Sequence, residues 1–486
     1  MTTKIGNTAR LLWNSRTLTT WANIFAQGIS LFAVLPLILS NFPAAEITIW
    51  YLFSTFIGFQ TLFQFGFNPT FSRLVAYAFA GANFDQIKNL NVDKSQNPTI
   101  ALSNRSTLSE LCGTMSSIYF GLATTAFIFL SSFGTLSIWK PLNQITDFSE
   151  GLKAWILVVA VTCIRIYGSQ YICYLNGTDH IAKVARWQTL FTLLSIATAA
   201  LVLTTGGSLL ELVIAHQSWQ ILTVVRNFYL SRQVNKCIYK TFPIFKISKE
   251  AFSVAWPSAW RSGIGQATSI LSIHSLGILY ANIATSTDSA VYLLSTRIIQ
   301  VITNVSQTPF TTKIPQLSKL FLKDRKKHLQ VAERGMRLSH AVFFTSILSI
   351  TILAPYLLEA VGSNIQATPI TLWLILVSSA FFGRLGSMHA HLYASANRIS
   401  WHWASLVQSA LIALCIYPLY QAFAVNGLAA SLLAGNIGYW GVAGAYSYRR
   451  LITKPALFEI RSIVPSLLLS LLISATIFAI IKSIPS

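Results

Sequence analysis

The sequence is poor in charge and poorer still in acid. Only 10% of its 486 residues are Asp, Glu, Lys or Arg, and only 14 are acidic. A water-soluble domain carries about 25% charged residues. That shortage excludes an ordinary soluble fold, and a mean hydropathy of +0.57 points to an integral membrane protein. Cysteine is scarce too. Cys112, Cys163, Cys173, Cys237 and Cys415 show no metal-ligand or redox spacing. They read as small apolar residues, with no metal site among them. No Walker-type glycine loop occurs, so ATP hydrolysis by that route is excluded. The N-terminal region lacks a short apolar run ending in small residues, so the first span is expected to anchor the chain itself.

What is present in abundance is apolar sequence in long runs. A helix needs about 20 mostly apolar residues to cross a bilayer. That rule predicts thirteen spans, near 18–40, 48–69, 111–133, 153–175, 187–205, 208–230, 252–280, 289–310, 336–358, 369–392, 402–424, 427–448 and 462–483. The fold class is an all-α polytopic membrane protein. The excess of Lys and Arg, 35 against 14 acids, falls almost wholly on one side of these spans. With a cytoplasmic N-terminus, that side carries six basic residues from Arg226 to Lys249 and eight from Lys313 to Arg337. The other face holds only Lys140, Lys153 and Lys482. The bias sets the orientation, and contact with anionic membrane lipids accounts for the remaining charge. Nucleic acid is not needed as a partner.

The two halves of the chain repeat. "YLFST" from Tyr51 faces "YLLST" from Tyr292, and each is followed by a proline, Pro69 or Pro309. "RIYGS" at Arg165 in span 4 faces "RLGS" at Arg384 in span 10. Six spans therefore repeat as six spans in the same orientation. The reading is two repeated six-helix bundles, 1–250 and 251–450, plus an extra C-terminal element at 451–486 that either spans once or lies partly on the surface. Repeats of this kind build secondary transporters. The paired prolines are read as a repeated bend, either hinges or simple kinks.

Four arginines lie within spans: Arg165, Arg261, Arg297 and Arg384. A central arginine costs roughly 2.5–3.5 kcal/mol on insertion scales. Lining a wet cavity that binds an anion would offset that cost, and phosphate suits a guanidinium fork. Bonding to backbone carbonyls at helix ends is the alternative. His216 and His274 are candidates for a proton relay or for packing. Gln64 and Asn68 either face a cavity or bond a neighbouring helix. His389 and His391, two apart, face different ways and have no acidic partner in sequence, which argues against a metal site.

The segment "IWYLFSTFIGFQTLFQFGFNPTFSRLVAYAFAG" from Ile49, with "AWPSAWRSGIG" from Ala255 and "AVYLLSTRIIQVITNVSQTPF" from Ala290, resembles the polysaccharide-transporter branch of the MATE/MOP flippase superfamily. These are the Wzx-type flippases of bacterial O-antigen, lipopolysaccharide and capsule synthesis. The resemblance implies a non-enzymatic transporter in the bacterial inner membrane. Its cargo would be an undecaprenyl-diphosphate-linked oligosaccharide, moved to the periplasmic leaflet. It implies no cofactor beyond a proton or sodium gradient. Polysaccharide polymerase and chain-length regulator proteins are the implied partners. Cavity arginines would engage the diphosphate, a role carried by position onto Arg165, Arg261, Arg297 and Arg384. Many relatives have an acid where Gln64 stands, which puts an acid-based proton site there in doubt. A polysaccharide polymerase or glycosyltransferase and a MATE-type small-molecule antiporter are the rival readings.

Overall fold

The computed structural model describes residues 26, 33–89, 105–234, 247–363, 365–396 and 401–483. All regular structure among them is helical. The first expected span, 18–40, lies mostly outside the described residues, and a helix at 33–41 (α1) covers its end. The helices of the first half continue as α2 (Ala44–Gly58), α3 (Gln60–Phe63), α4 (Phe67–Phe79), α5 (Phe84–Asn89), α6 (Arg105–Phe129), α7 (Thr135–Leu142), α8 (Phe148–Gly177), α9 (Ile181–Thr204) and α10 (Leu209–Val234). Those of the second half are α11 (Lys249–Ile283), α12 (Ser286–Thr311), α13 (Ile314–Lys323), α14 (Arg325–Ala360), α15 (Ile370–Ser395), α16 (Trp401–Phe423), α17 (Val425–Arg450) and α18 (Pro455–Ser483). A π turn at Leu130–Gly134 joins α6 to α7.

Seven helical stretches are long and apolar enough to cross a membrane by length and composition: Arg105–Leu142, Phe148–Gly177, Ile181–Thr204, Arg325–Ala360, Ile370–Ser395, Trp401–Phe423 and Pro455–Thr476. Four more expected spans, α10, α11, α12 and α17, are long helices of more polar composition. Several helix starts are set by local chemistry. Asp147 accepts from the Glu150 amide (3.1 Å), Thr285 from the Asp288 amide (3.1 Å), and Asp324 from the Lys327 amide (2.9 Å). Each oxygen satisfies an amide that the first helical turn leaves without a partner.

The second expected span, 48–69, is interrupted. Its helix stops at Gln64, passes through left-handed Phe65 (φ 41°) and Gly66 (φ 71°), and restarts as α4. Pro69 is therefore not the bend. It sits in the first turn of α4, where its missing amide costs nothing. The break precedes it at 64–66. Pro309 lies inside the unbroken α12, two residues before its end.

The chain forms two compact units, Met1–Leu271 and Ser272–Ser486. The division falls inside α11, whereas the sequence places it at 250/251. The reason is packing. Ala251, Ala255 and Ala259 on the first half of α11 are buried in one apolar cluster with Phe67, Phe71 and Tyr119.

Within each unit the same contacts recur. Span 4 packs on span 6 (α8 on α10) in the first unit, and span 10 on span 12 (α15 on α17) in the second. Gly168 makes the first approach possible, because a Cβ there would lie 2.6 Å from Val224. Gly386 does the same in the second, where a Cβ would lie 2.5 Å from the Tyr439 ring. Trp155 Nε1 donates to Thr135 Oγ1 (2.9 Å), from span 4 to span 3. Trp373 Nε1 donates to Thr351 Oγ1 (2.8 Å), from span 10 to span 9. These matched bonds carry the repeat from sequence into structure.

The extra C-terminal element is a single helix, α18. Ser462, Ser466, Ser470 and Ser474 recur every fourth residue and are buried. Ser466 Oγ donates to the Arg337 carbonyl (2.7 Å) and Ser470 Oγ to the Ala341 carbonyl (3.2 Å) on α14. Small side chains let two helix backbones approach, and their hydroxyls add interhelical bonds. The opposite face, Ile460, Val464, Leu468 and Leu472, is exposed and apolar, as a lipid-facing surface requires.

Candidate functional site

The helix break is the first place where polar groups gather at span depth. Gln64 Nε2 donates to Ser169 Oγ (2.8 Å), which itself donates to the Arg165 carbonyl (2.9 Å). Asn68 Nδ2 donates to Gln64 Oε1 (2.8 Å), and Tyr119 Oη donates to Asn68 Oδ1. Tyr119 Oη also contacts Cys173 Sγ (3.3 Å). The chain links spans 2, 3 and 4. Gln64 and Asn68 therefore act as bonds between helices, the second of the two sequence readings. Gly66 is held against α11: a Cβ on it would lie 2.5 Å from the Ala259 carbonyl oxygen and 2.7 Å from the Gly263 amide nitrogen. Trp256, from the same part of α11, stacks on Phe65 and Phe252.

The four span arginines meet four different fates. Arg165 is partly buried on α8, and among the described residues its guanidinium has no bonding partner. Arg261 is in α11, but its side chain lies outside the described residues. Arg297 is exposed on α12 and bonds only Gln300 Oε1 (3.0 Å) among the described residues. It belongs to a polar stripe. Arg297, Gln300 and Asn304 are all exposed, three and four residues apart, on one helix face. Lipid would not solvate such a face; water or a polar ligand would. At the place matching Arg297 in the first half, Phe56 is buried against Trp155 (5.0 Å between rings). At this pair of matched positions the cation stands in the second half alone.

Arg384 does not line an open surface here. It is 1% exposed. Nη1 donates to the Ser339 carbonyl (2.9 Å), Nη2 donates to His340 Nδ1 (2.6 Å), and the guanidinium lies 4.4 Å from the Phe343 ring centroid. Hydrogen bonds to a charged group are each worth about 1.5–3 kcal/mol. Two of them match the roughly 2.5–3.5 kcal/mol insertion cost, so this arginine is held without an anion. The backbone-bonding alternative describes it in this conformation.

Sequence reasoning missed two polar clusters built on buried side chains. Arg226, grouped with a basic loop by sequence, is buried in α10. It donates to Asn227 Oδ1 (2.7 Å) and Gln188 Oε1 (3.2 Å) and lies over Phe191. His389 has an acidic partner after all, because Glu459 of α18 reaches its Nε2 (2.9 Å). Tyr448 Oη donates to the same carboxylate (3.1 Å). A lone His and a lone Glu 70 positions apart give no local motif that would have revealed the pair. Among the described residues no group of three His, Cys, Asp or Glu is placed to hold a metal. His216 packs edge-on against Trp50 (5.8 Å). His274 is in α11, within electrostatic reach of Arg297.

No family model matches the chain, and no curated protein is matched. Solved structures are. Lipid II flippase MurJ in an inward closed conformation aligns with a TM-score of 0.64 at 14% identity, over 97% of this chain and 94% of that one. An inward-facing multidrug resistance MATE family transporter of the MOP superfamily aligns with a TM-score of 0.61 at 12% identity, over 92% and 96%. A MOP superfamily transporter from Pyrococcus furiosus, with a binding pocket of reverse polarity, gives 0.57 at 12% identity, over 91% and 98%. The chain thus has the all-helical fold of these solved flippase and transporter structures.

Proposed function

We propose that the protein is a flippase for an undecaprenyl-diphosphate-linked oligosaccharide, an O-antigen or capsule repeat unit. It would act by ion-coupled alternating access in a bacterial inner membrane, with the N-terminus cytoplasmic. The observation that carries this reading is the exposed Arg297–Gln300–Asn304 stripe on a span-length helix, with no acid bonded to it among the described residues. A cation beside amide donors suits a phosphate-bearing cargo. Arg165, without a partner among the described residues, adds a second cation at span depth. The likeness to a lipid II flippase supports a lipid-linked cargo. The MATE likeness supports a transporter equally well, but a cationic drug would need acids where this chain presents arginine.

The test is reconstitution. Proteoliposomes holding the full chain should move a fluorescent undecaprenyl-diphosphate oligosaccharide between leaflets. Arg297→Ala should slow that movement at least tenfold at equal protein. Movement no faster than in protein-free liposomes would overturn the reading. Movement of cationic dyes in its place would favour the MATE-type reading.

A further inference from the structure

We propose that His340 is a proton-binding site gated by Arg384, the guanidinium and a proton taking turns at one ring nitrogen. The proposal rests on the reading that the chain binds a diphosphate anion, and it makes the proton the coupling ion.

The hydrogen-bond chemistry is one-directional. A guanidinium nitrogen only donates, so His340 Nδ1, 2.6 Å from Arg384 Nη2, must present its lone pair. The ring proton is therefore on Nε2. Among the described residues that nitrogen is buried without a partner, and so are Arg384 Nε and Ser339 Oγ. Three unsatisfied polar groups within one small cluster are far from the usual pattern of buried polar atoms. The ring itself is fixed between Phe344 (6.1 Å) and Phe381 (5.7 Å). Both Nη groups of the arginine are thus engaged, and among the described residues its Nε–H is left without an acceptor.

A phosphate offers the guanidinium fork bidentate bonding. When the guanidinium turns to it, one positive charge leaves His340 and the Nδ1 lone pair is bare. A proton from a buffer acid, whose conjugate base stays in solution, then bonds to Nδ1 and gives an imidazolium beside the position the guanidinium has left. One charge leaves and one arrives. No covalent bond between heavy atoms changes. Release of the anion reverses both steps, because the returning guanidinium and the Nδ1 proton cannot share the space.

The charged neighbours fit this exchange. α15 contributes Arg384 and His389, and His389 is itself paired with Glu459 of α18. α14 contributes Arg337, whose carbonyl is bound to Ser466. Among the described residues no acid bonds His340, so nothing else fixes a proton there.

The experiment uses full-length protein in nanodiscs, labelled with 15N-histidine, and undecaprenyl diphosphate as the probe. The His340 signal is assigned by its loss in His340→Asn. Without probe, near pH 7.5, it should report the Nε2–H tautomer. Saturating probe should convert it to the doubly protonated ring, with uptake of about one proton per chain from weak buffer. In Arg384→Gln the ring signal should no longer respond to probe. An Nδ1–H tautomer in the wild type, or an unchanged ring when calorimetry shows the probe bound, overturns the proposal and leaves the flippase reading standing. No binding of the probe overturns both. The assigned wild-type spectrum carries the test on its own if Arg384→Gln fails to fold, and His340→Gln replaces His340→Asn for the assignment if that variant fails.

Discussion

Replacing Gly66 by Ala tests whether the break in span 2 is built on a glycine that cannot be exchanged. Two costs add there. The residue sits at φ 71°, where an L side chain loses about 1–2 kcal/mol. Its Cβ would also lie 2.5 Å from a backbone oxygen and 2.7 Å from a backbone nitrogen, neither at the end of a flexible side chain. Overpacking of that kind costs about 1–3 kcal/mol. The sum is about 2–5 kcal/mol. At roughly 2 °C per kcal/mol for a chain of this size, the melting midpoint should fall by about 4–10 °C. The control is Gly121→Ala in α6, where an added Cβ meets nothing within 4 Å. Relief of glycine's backbone entropy should leave that variant unchanged or stabilised by about 0.5–1 kcal/mol. Tryptophan-fluorescence melts of purified protein in one detergent, at one scan rate, compare the two. A Gly66→Ala midpoint matching that of Gly121→Ala would refute the account of the break.

Other perturbations separate folding from transport. Ser466→Leu should cost about 1–3 kcal/mol by wedging α18 away from α14, seen as a lower midpoint and faster proteolysis after 454; an unchanged midpoint would show that α18 is not docked through its serines. Arg297→Ala should fold with an unchanged midpoint, because the side chain is exposed, while losing transport; a large drop in midpoint would assign it a packing role. His328, outside the expected span, is buried and bonds Ser395 Oγ (3.0 Å), and burial followed by the Arg325 charge pushes its imidazole down from its ordinary value. The unfolded chain takes up that proton first, so stability should decline as pH falls through about 6.5 toward the lower folded value. His328→Gln should lessen the decline in midpoint between about pH 7.5 and 5.5, and an identical decline would count against the assignment.

The long helices were legible because twenty-residue apolar runs are hard to mistake. The repeat was legible through a few letters around Tyr51, Tyr292, Arg165 and Arg384, and the matching tryptophan–threonine bonds show how much more of it survives in three dimensions. The interrupted helix was not legible. Phe65 and Gly66 continue the apolar run, and Pro69 draws attention to the wrong residue. Arg384 could not be read either, since its partners Ser339 and His340 lie 45 and 44 positions away on another helix. The same distance problem hid Glu459 from His389. Arg297 stands apart among the span arginines whose side chains are described, because it is exposed and its polar neighbours recur on the same helix at the helical period.

The π turn at Leu130–Gly134 implies that one residue has been accommodated without lengthening the loop. A wide turn takes one more residue to come round than an ordinary α turn, so α7 leaves it in nearly the phase that α6 sets. Thr135 thereby meets Trp155, and Ile138 and Leu142 stay buried. Deleting Ser131 should close the bulge into an ordinary turn and keep those contacts, whereas an extra residue in the regular helix of α7 would rotate everything beyond it by about 100° with a shift of about 1.5 Å. The turn is thus a slack link, the one place in this helix where the count of residues can change while the side that meets the protein does not.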